Sequence, residues 1–110
     1  MRLGGALGLF NASRTEDLEP LCDVLDTYGL SAISGPDGMM EMSDDELAAY
    51  GAKARELNLV IGETFYFANM IDPDPDARTE HIGNIRAMLV QAETLGCKSV
   101  ISLVGTTDPG

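Results

Sequence analysis

Three polar side chains occupy positions where an α/β fold could place chemistry. Glu63 follows the apolar strand pattern LVIG, Asn69 lies in the loop after that strand, and Asn11 follows a strand pattern near the amino terminus. In parallel α/β folds the functional residues gather at the carboxyl ends of the strands. A carboxylate and two amides can accept from and donate to the hydroxyls of a polyol. All three are therefore candidate substrate-binding residues, and no catalytic residue is identified.

Each candidate also has a purely structural interpretation. Glu63 can be a solvated carboxylate at a strand end, and the amides of Asn69 and Asn11 can stabilise turns by bonding nearby backbone. The aromatic run from Phe65 to Phe67 can wall a sugar pocket or pack in the core. His81, the single histidine, is expected at the surface. The alternatives stay open at the level of sequence.

The elements that must position these residues alternate along the chain. Strand patterns begin near Leu3, Leu30, Leu59 and Ser99, and a segment with helical periodicity lies between each pair. The second helix has the clearest start, since Ser43 and Glu46 have the spacing of a capping box. The prolines of MIDPDPDART exclude a third helix before about Asp76, and Gly96 ends it. This alternation predicts a parallel sheet of four strands with three helices on one face.

Composition limits the class of protein. A chain of 110 residues can form one domain over residues 1–110, whereas a closed barrel of eight βα units needs more than twice that length. The net charge of -11 disfavours nucleic acid as a partner. No apolar run is long enough for a membrane span, so no membrane partner is expected. Cys22 and Cys97 lack the spacing of a metal site or a disulfide framework, which favours a reducing, cytoplasmic location.

The longest recognisable pattern joins the strand of Glu63 to the last strand. The run VIGETFYFANMIDPDPDARTEHIGNIRAMLVQAETLGCKSVISLVG resembles the third-strand to fourth-strand portion of sugar phosphate isomerase/epimerase proteins, the xylose-isomerase-like TIM barrels. DVLDTYGLSAISGP resembles their first helix and second strand, and ELAAYGAKARELNLVIG their second helix and third strand. Two positions depart from the pattern: Ser34 stands where many members have Glu, and Leu103 and Val104 stand where many have His.

The resemblance implies a partial TIM barrel, the amino-terminal half of such a protein, with its four strands and three outer helices. It implies a metal-dependent sugar or sugar-phosphate isomerase or epimerase that transfers a proton between adjacent carbons. In the family, side chains of the second half-barrel hold the divalent cation, so this segment is expected to bind no metal. It would supply pocket wall and substrate contacts, and the 110-residue chain alone is expected to be inactive.

Two other functions remain possible at this stage. The open sheet face, expected to carry Ile33, Ile61 or Val104, can make the chain a half-barrel module that forms a homo-oligomer. The same superfamily resemblance includes apurinic endonucleases, which cut DNA with a metal cluster. Those enzymes need a basic groove, and the acidic charge of this chain argues against that function.

Overall fold

The computed structural model of the protein describes residues 2–4 and 11–107. Three strands and three α-helices alternate in this part of the chain, together with two short 3-10 turns at Thr15–Asp17 and Met39–Glu41. The strands are β1 (Ala32–Ser34), β2 (Val60–Tyr66) and β3 (Val100–Ser102). The helices are α1 (Leu18–Thr27), α2 (Asp44–Glu56) and α3 (Pro75–Leu95).

The sheet is parallel, and its strands lie in the order in which the chain makes them. β2 occupies the centre, paired with β1 on one side and with β3 on the other. Gly4 adds an isolated parallel bridge to Ala32, beyond β1. A sequential parallel order requires a helical crossover between neighbouring strands, and successive right-handed crossovers place the helices on the same face.

One hydrophobic core joins the helices to one face of this sheet. Leu25 of α1, Leu47 of α2 and Leu95 of α3 are fully buried, and they belong to the same cluster as Ile33 and Ile61. Ile101 of β3 is exposed, and so are Phe67, Leu103 and Val104, which follow the carboxyl ends of β2 and β3. Among the described residues, therefore, the helices cover one face of the sheet, and apolar side chains stay open to solvent at Ile101 and just beyond the ends of β2 and β3.

The helix ends follow the local sequence chemistry. The Ser43 hydroxyl accepts from the Glu46 amide at 3.2 Å while the Glu46 carboxylate accepts from the Ser43 amide at 2.7 Å, so the predicted capping box is confirmed. Gly96 ends α3 in the left-handed conformation with φ of 93°, as predicted. Pro75 is the first residue of α3, one position before the predicted start, because proline needs no amide partner there. None of the helices in the described ranges is both long and apolar enough to cross a bilayer.

Two details of the predicted sheet change. The described residues contain three of the four predicted parallel strands. At the predicted first strand, near Leu3, they show the Gly4 bridge to Ala32, and residues 5–10 lie outside the described residues. Ile33 and Ile61 were expected on the open face, but both are buried against the helices. Val104 is 72% exposed, but it lies two residues beyond the end of β3 and not on the sheet face.

Candidate functional site

Glu63 lies within a strand and not at its end. β2 continues to Tyr66, because the aromatic residues after Glu63 pair with β3. Ile33 pairs with Ile61 and Ser34 with Glu63, so Gly62 is an extra residue at an irregularity of β2. The half-buried Glu63 side chain lines a depression of about 210 Å³ with Gly4 and Ala32. Its carboxylate accepts no hydrogen bond and forms no ion pair with any described residue.

Asn69 joins the loop after β2 to the loop after β3. Its Nδ2 donates to the Thr106 carbonyl at 2.7 Å, and its Oδ1 accepts from the Thr106 amide at 3.0 Å and from the Ile71 amide at 3.4 Å. All three bonds are to backbone groups, so in the described structure the Asn69 side chain stabilises loops, as the structural interpretation predicted. One Nδ2 hydrogen remains for a further acceptor.

The Asn69 contacts predict that two substitutions, Asn69→Ala and Gly105→Ala, loosen the same pair of loops after β2 and β3. Asn69→Ala removes the three bonds and is expected to lower stability by about 1 kcal/mol, since these bonds are exposed to water. Gly105→Ala should produce the same loosening, because Gly105 has φ of 99° and a Cβ there would collide with Asn69. Hydrogen exchange should report faster exchange of the Thr106 amide in both variants. Unchanged protection of that amide would show that the two loops are held by other contacts.

Asn11 lies beside the end of β1. Its Nδ2 points to the Gly35 carbonyl at 3.5 Å, a long contact that leaves much of the amide's bonding capacity unused. The adjacent Ala12 carbonyl accepts a short 2.6 Å hydrogen bond from the buried Tyr50 hydroxyl of α2. These two contacts fix the loop that follows the amino-terminal segment against β1 and α2.

A cavity of about 350 Å³, here called the β1–β2 cavity, opens where β1 and β2 end. Residues 35–41, the loop after β1, form one wall, and residues 64–67 together with Met88 form the other. Asp37 and Glu41 contribute two exposed carboxylates, while Phe65 and Phe67 contribute rings whose centroids lie 5.3 Å apart. Phe67 also lines a third, shallower pocket that includes Asn69 and Leu103.

A polar cluster that the sequence did not predict lies at the end of β2. The Tyr66 hydroxyl accepts from Asn84 Nδ2 at 2.9 Å and lies 3.3 Å from His81 Nδ1. His81 was expected at the surface, but it is half-buried against β2. His81 and Asn84 are three positions apart on α3, a spacing that faces both toward the strand, so helical periodicity was the available signal.

The three predicted site residues lie on adjacent segments of the sheet but line different spaces. Glu63 lines the depression beside Gly4, Asn69 lines the pocket beside Leu103, and Asn11 contacts Gly35, a wall residue of the β1–β2 cavity. Within residues 2–4 and 11–107, no three His, Cys, Asp or Glu side chains converge as a metal site would require. The described residues therefore do not fit a divalent cation by themselves.

Both cysteines are free thiols with structural surroundings. Cys97 is buried in the core. Cys22 is partly buried and packs against the core cluster, with its Sγ 3.8 Å from the Leu57 carbonyl oxygen. Burial and the neighbouring carboxylates, Asp26 first among them, raise the pKa of the Cys22 thiol. A thiol with a raised pKa is a poor nucleophile at neutral pH.

Comparison with known proteins gave no family model that matches the chain and no significant match to a curated protein.

Proposed function

We propose that this chain is one wall of a (βα) barrel belonging to a metal-dependent sugar or sugar-phosphate isomerase or epimerase. The observation that carries the proposal is the sequential parallel order of β1, β2 and β3, with one core under all three helices. Doubly wound folds reverse their strand order and cover both faces, whereas barrels keep a sequential order and helices on one face. Exposed apolar groups such as Ile101 and Leu103 support a sheet whose other face is completed by further strands.

In this proposal the described residues bind and orient a polyol. Glu63 offers a carboxylate with no partner among the described residues, and it lines the depression beside Gly4. It lies two residues before Phe65 and so shares that side chain's face of β2, while the aromatic walls of the separate β1–β2 cavity offer apolar surface to a sugar ring. Proton transfer between adjacent carbons needs an acid and a base within hydrogen-bond reach of the substrate. The proposed divalent cation would be held by other strands of the barrel, since the described residues do not supply its ligands. This chain is expected to hold a sugar without converting it.

The direct test is sugar binding measured by amide chemical shifts. Titration of the ¹⁵N-labelled chain with D-glucose and D-xylose should shift the amides of residues 35–41 and 63–67, at millimolar concentrations. Glu63→Gln should weaken the affinity about fivefold, because a hydroxyl donates more strongly to a carboxylate than to an amide. Glu80→Gln on the exposed side of α3 is the matched control and should leave the affinity unchanged.

Shifts confined to the opposite edge of the sheet, or no saturable shifts with either sugar, would remove the support for a sugar site. Equal affinities for Glu63→Gln and the unsubstituted chain would retain a sugar site but remove Glu63 from it.

The exposed apolar groups just beyond the carboxyl ends of β2 and β3 favour a second candidate function, self-association of two copies through this surface. Phe67 is 55% exposed and Leu103 59% exposed, and burying them against a second copy would remove apolar surface from water. Sedimentation velocity distinguishes the two: a compact dimer supports the interaction module, and a monomer supports the barrel wall.

We also propose a reducing, cytoplasmic location. Cys22 and Cys97 are both free thiols, and Cys97 is buried in the core. Free structural thiols are typical of proteins kept in reducing compartments.

A further inference from the structure

We infer, resting on the proposed function, that the β1–β2 cavity holds an unphosphorylated sugar and discriminates against a phosphorylated one. The acidic side chains around the cavity and the aromatic rings in its walls favour the unphosphorylated ligand.

The charged side chains at the cavity are acidic. Asp37 and Glu41 are exposed, and neither carboxylate accepts a hydrogen bond or forms an ion pair with a described residue. Unpaired carboxylates repel a phosphate dianion, and the repulsion remains substantial within a Debye length of about 8 Å at physiological salt. The same carboxylates accept hydrogen bonds from sugar hydroxyls.

The cationic side chains of the protein do not offset the negative charge of Asp37 and Glu41 at the cavity. None of its seven Lys and Arg side chains lines the cavity. Arg14, in the loop before α1, is paired with Glu16 and Asp17. Arg78, in the first turns of α3, donates to the Asp72 carbonyl at 3.0 Å.

The helix termini that follow β1 and β2 also carry their own acceptors. Ser43 and Glu46 cap α2, and Asp74 caps α3 by accepting from the Asp76 amide at 3.0 Å. Phosphate binds helix amino termini through free amides and the positive end of the helix dipole. At both of these termini, a side chain of the protein already accepts a hydrogen bond from one of the free amides that a phosphate would need.

The apolar wall suits the ring of a sugar. Phe67 is 55% exposed, and its ring lies beside that of Phe65 at the cavity. The C–H face of a pyranose packs on an aromatic face. The sugar hydroxyls then lie at the edge of the ring, where the carboxylates of Asp37 and Glu41 can accept hydrogen bonds from them. Phosphate at the same place would gain nothing from an aromatic ring, since the ring face carries partial negative charge.

The test compares D-glucose, D-glucose 6-phosphate and inorganic phosphate on the full ¹⁵N-labelled chain at constant ionic strength. The cavity amides of Gly38, Glu41, Phe65 and Phe67 report binding. Glucose should bind at least about tenfold more tightly than glucose 6-phosphate. The double variant Asp37→Asn/Glu41→Gln should lose most of that discrimination. Asp26→Asn, an exposed carboxylate on α1, is the control and should keep it.

Other results would overturn the inference. If glucose 6-phosphate binds at the cavity as tightly as glucose, the substrate-class inference fails while the proposed sugar function stands. If the double variant keeps the full discrimination, Asp37 and Glu41 do not cause it, and the inference fails. If neither sugar shifts the cavity amides, the inference and the proposed function fail together.

Discussion

Gly51→Ala is expected to lower the free energy of unfolding by about 2 to 3 kcal/mol, a large part of the stability of a small domain. Gly51 lies on the face of α2 that touches the end of α3. A Cβ at this position would overlap the Leu95 carbonyl oxygen and would lie 2.9 Å from the Leu95 carbonyl carbon. Both atoms belong to the backbone, so the helices must separate to make room. The separation would open the core around Leu47 and Leu95.

Gly83→Ala is the matched control within the same protein. Gly83 lies in the middle of α3, and a Cβ there would have no neighbour within 4 Å. Alanine has the higher helix propensity, so this variant should be more stable by about 1 kcal/mol. Urea unfolding followed by circular dichroism would measure both changes. Two variants with the same sign of effect would contradict the close packing of α2 on the end of α3.

Tyr50→Phe is expected to destabilise the fold by about 2 kcal/mol at neutral pH. The change leaves the ring in the core but removes the hydroxyl that donates to Ala12 at 2.6 Å. Because Ala12 is buried, its carbonyl loses a partner that water does not readily replace. Urea unfolding at pH 7 would measure the change. A loss below about 0.5 kcal/mol would show that this bond contributes little.

The same hydroxyl gives stability a defined dependence on alkaline pH. Burial, together with the negative charge of Asp37, raises the pKa of Tyr50 well above its usual 10.0. The unfolded chain therefore loses this proton first, and stability should fall by up to about 1.4 kcal/mol for each pH unit above about 10. Tyr50→Phe removes this titrating hydroxyl, so its free energy of unfolding should fall less steeply above about pH 10, by up to about 1.4 kcal/mol for each pH unit. Tyr28→Phe, at an exposed position, is the control and should keep the full decline.

Local chemistry made the helix ends predictable. The capping box at Ser43 and Glu46 and the left-handed Gly96 depend on residues close together in sequence, so the pattern contained the information. The apolar face of α2 was predictable for the same reason, since helical periodicity places Leu47, Tyr50, Ala54 and Leu57 on one side. The first three are buried, and Leu57 is partly buried against the core.

The position of Glu63 required tertiary information. The extra residue Gly62 in β2 shifts the pairing with β1, and the register of a strand decides which face each later side chain occupies. Strand periodicity alone does not reveal such an irregularity. Pairing with β3 also extends β2 to Tyr66, so Glu63 lies inside the strand.

The site was predictable only in part. Its general place, the carboxyl ends of the strands, follows from parallel topology, and the β1–β2 cavity lies there. The partners of Asn69 and the contact of Tyr66 with His81 join residues far apart in sequence. Such contacts depend on how loops and helices pack, and composition or spacing does not encode them directly.

Hydroxyl-radical footprinting of the purified chain, with peptides identified by mass spectrometry, tests most directly the claim of a sheet with one open face. Phe67, Ile101 and Leu103 should be oxidised readily, while the buried Leu25, Leu47 and Leu95 should be protected. Sedimentation of the same sample should show a monomer. Protection of Phe67, Ile101 and Leu103 to the level of the buried leucines would contradict the open face and the barrel wall that we infer from it.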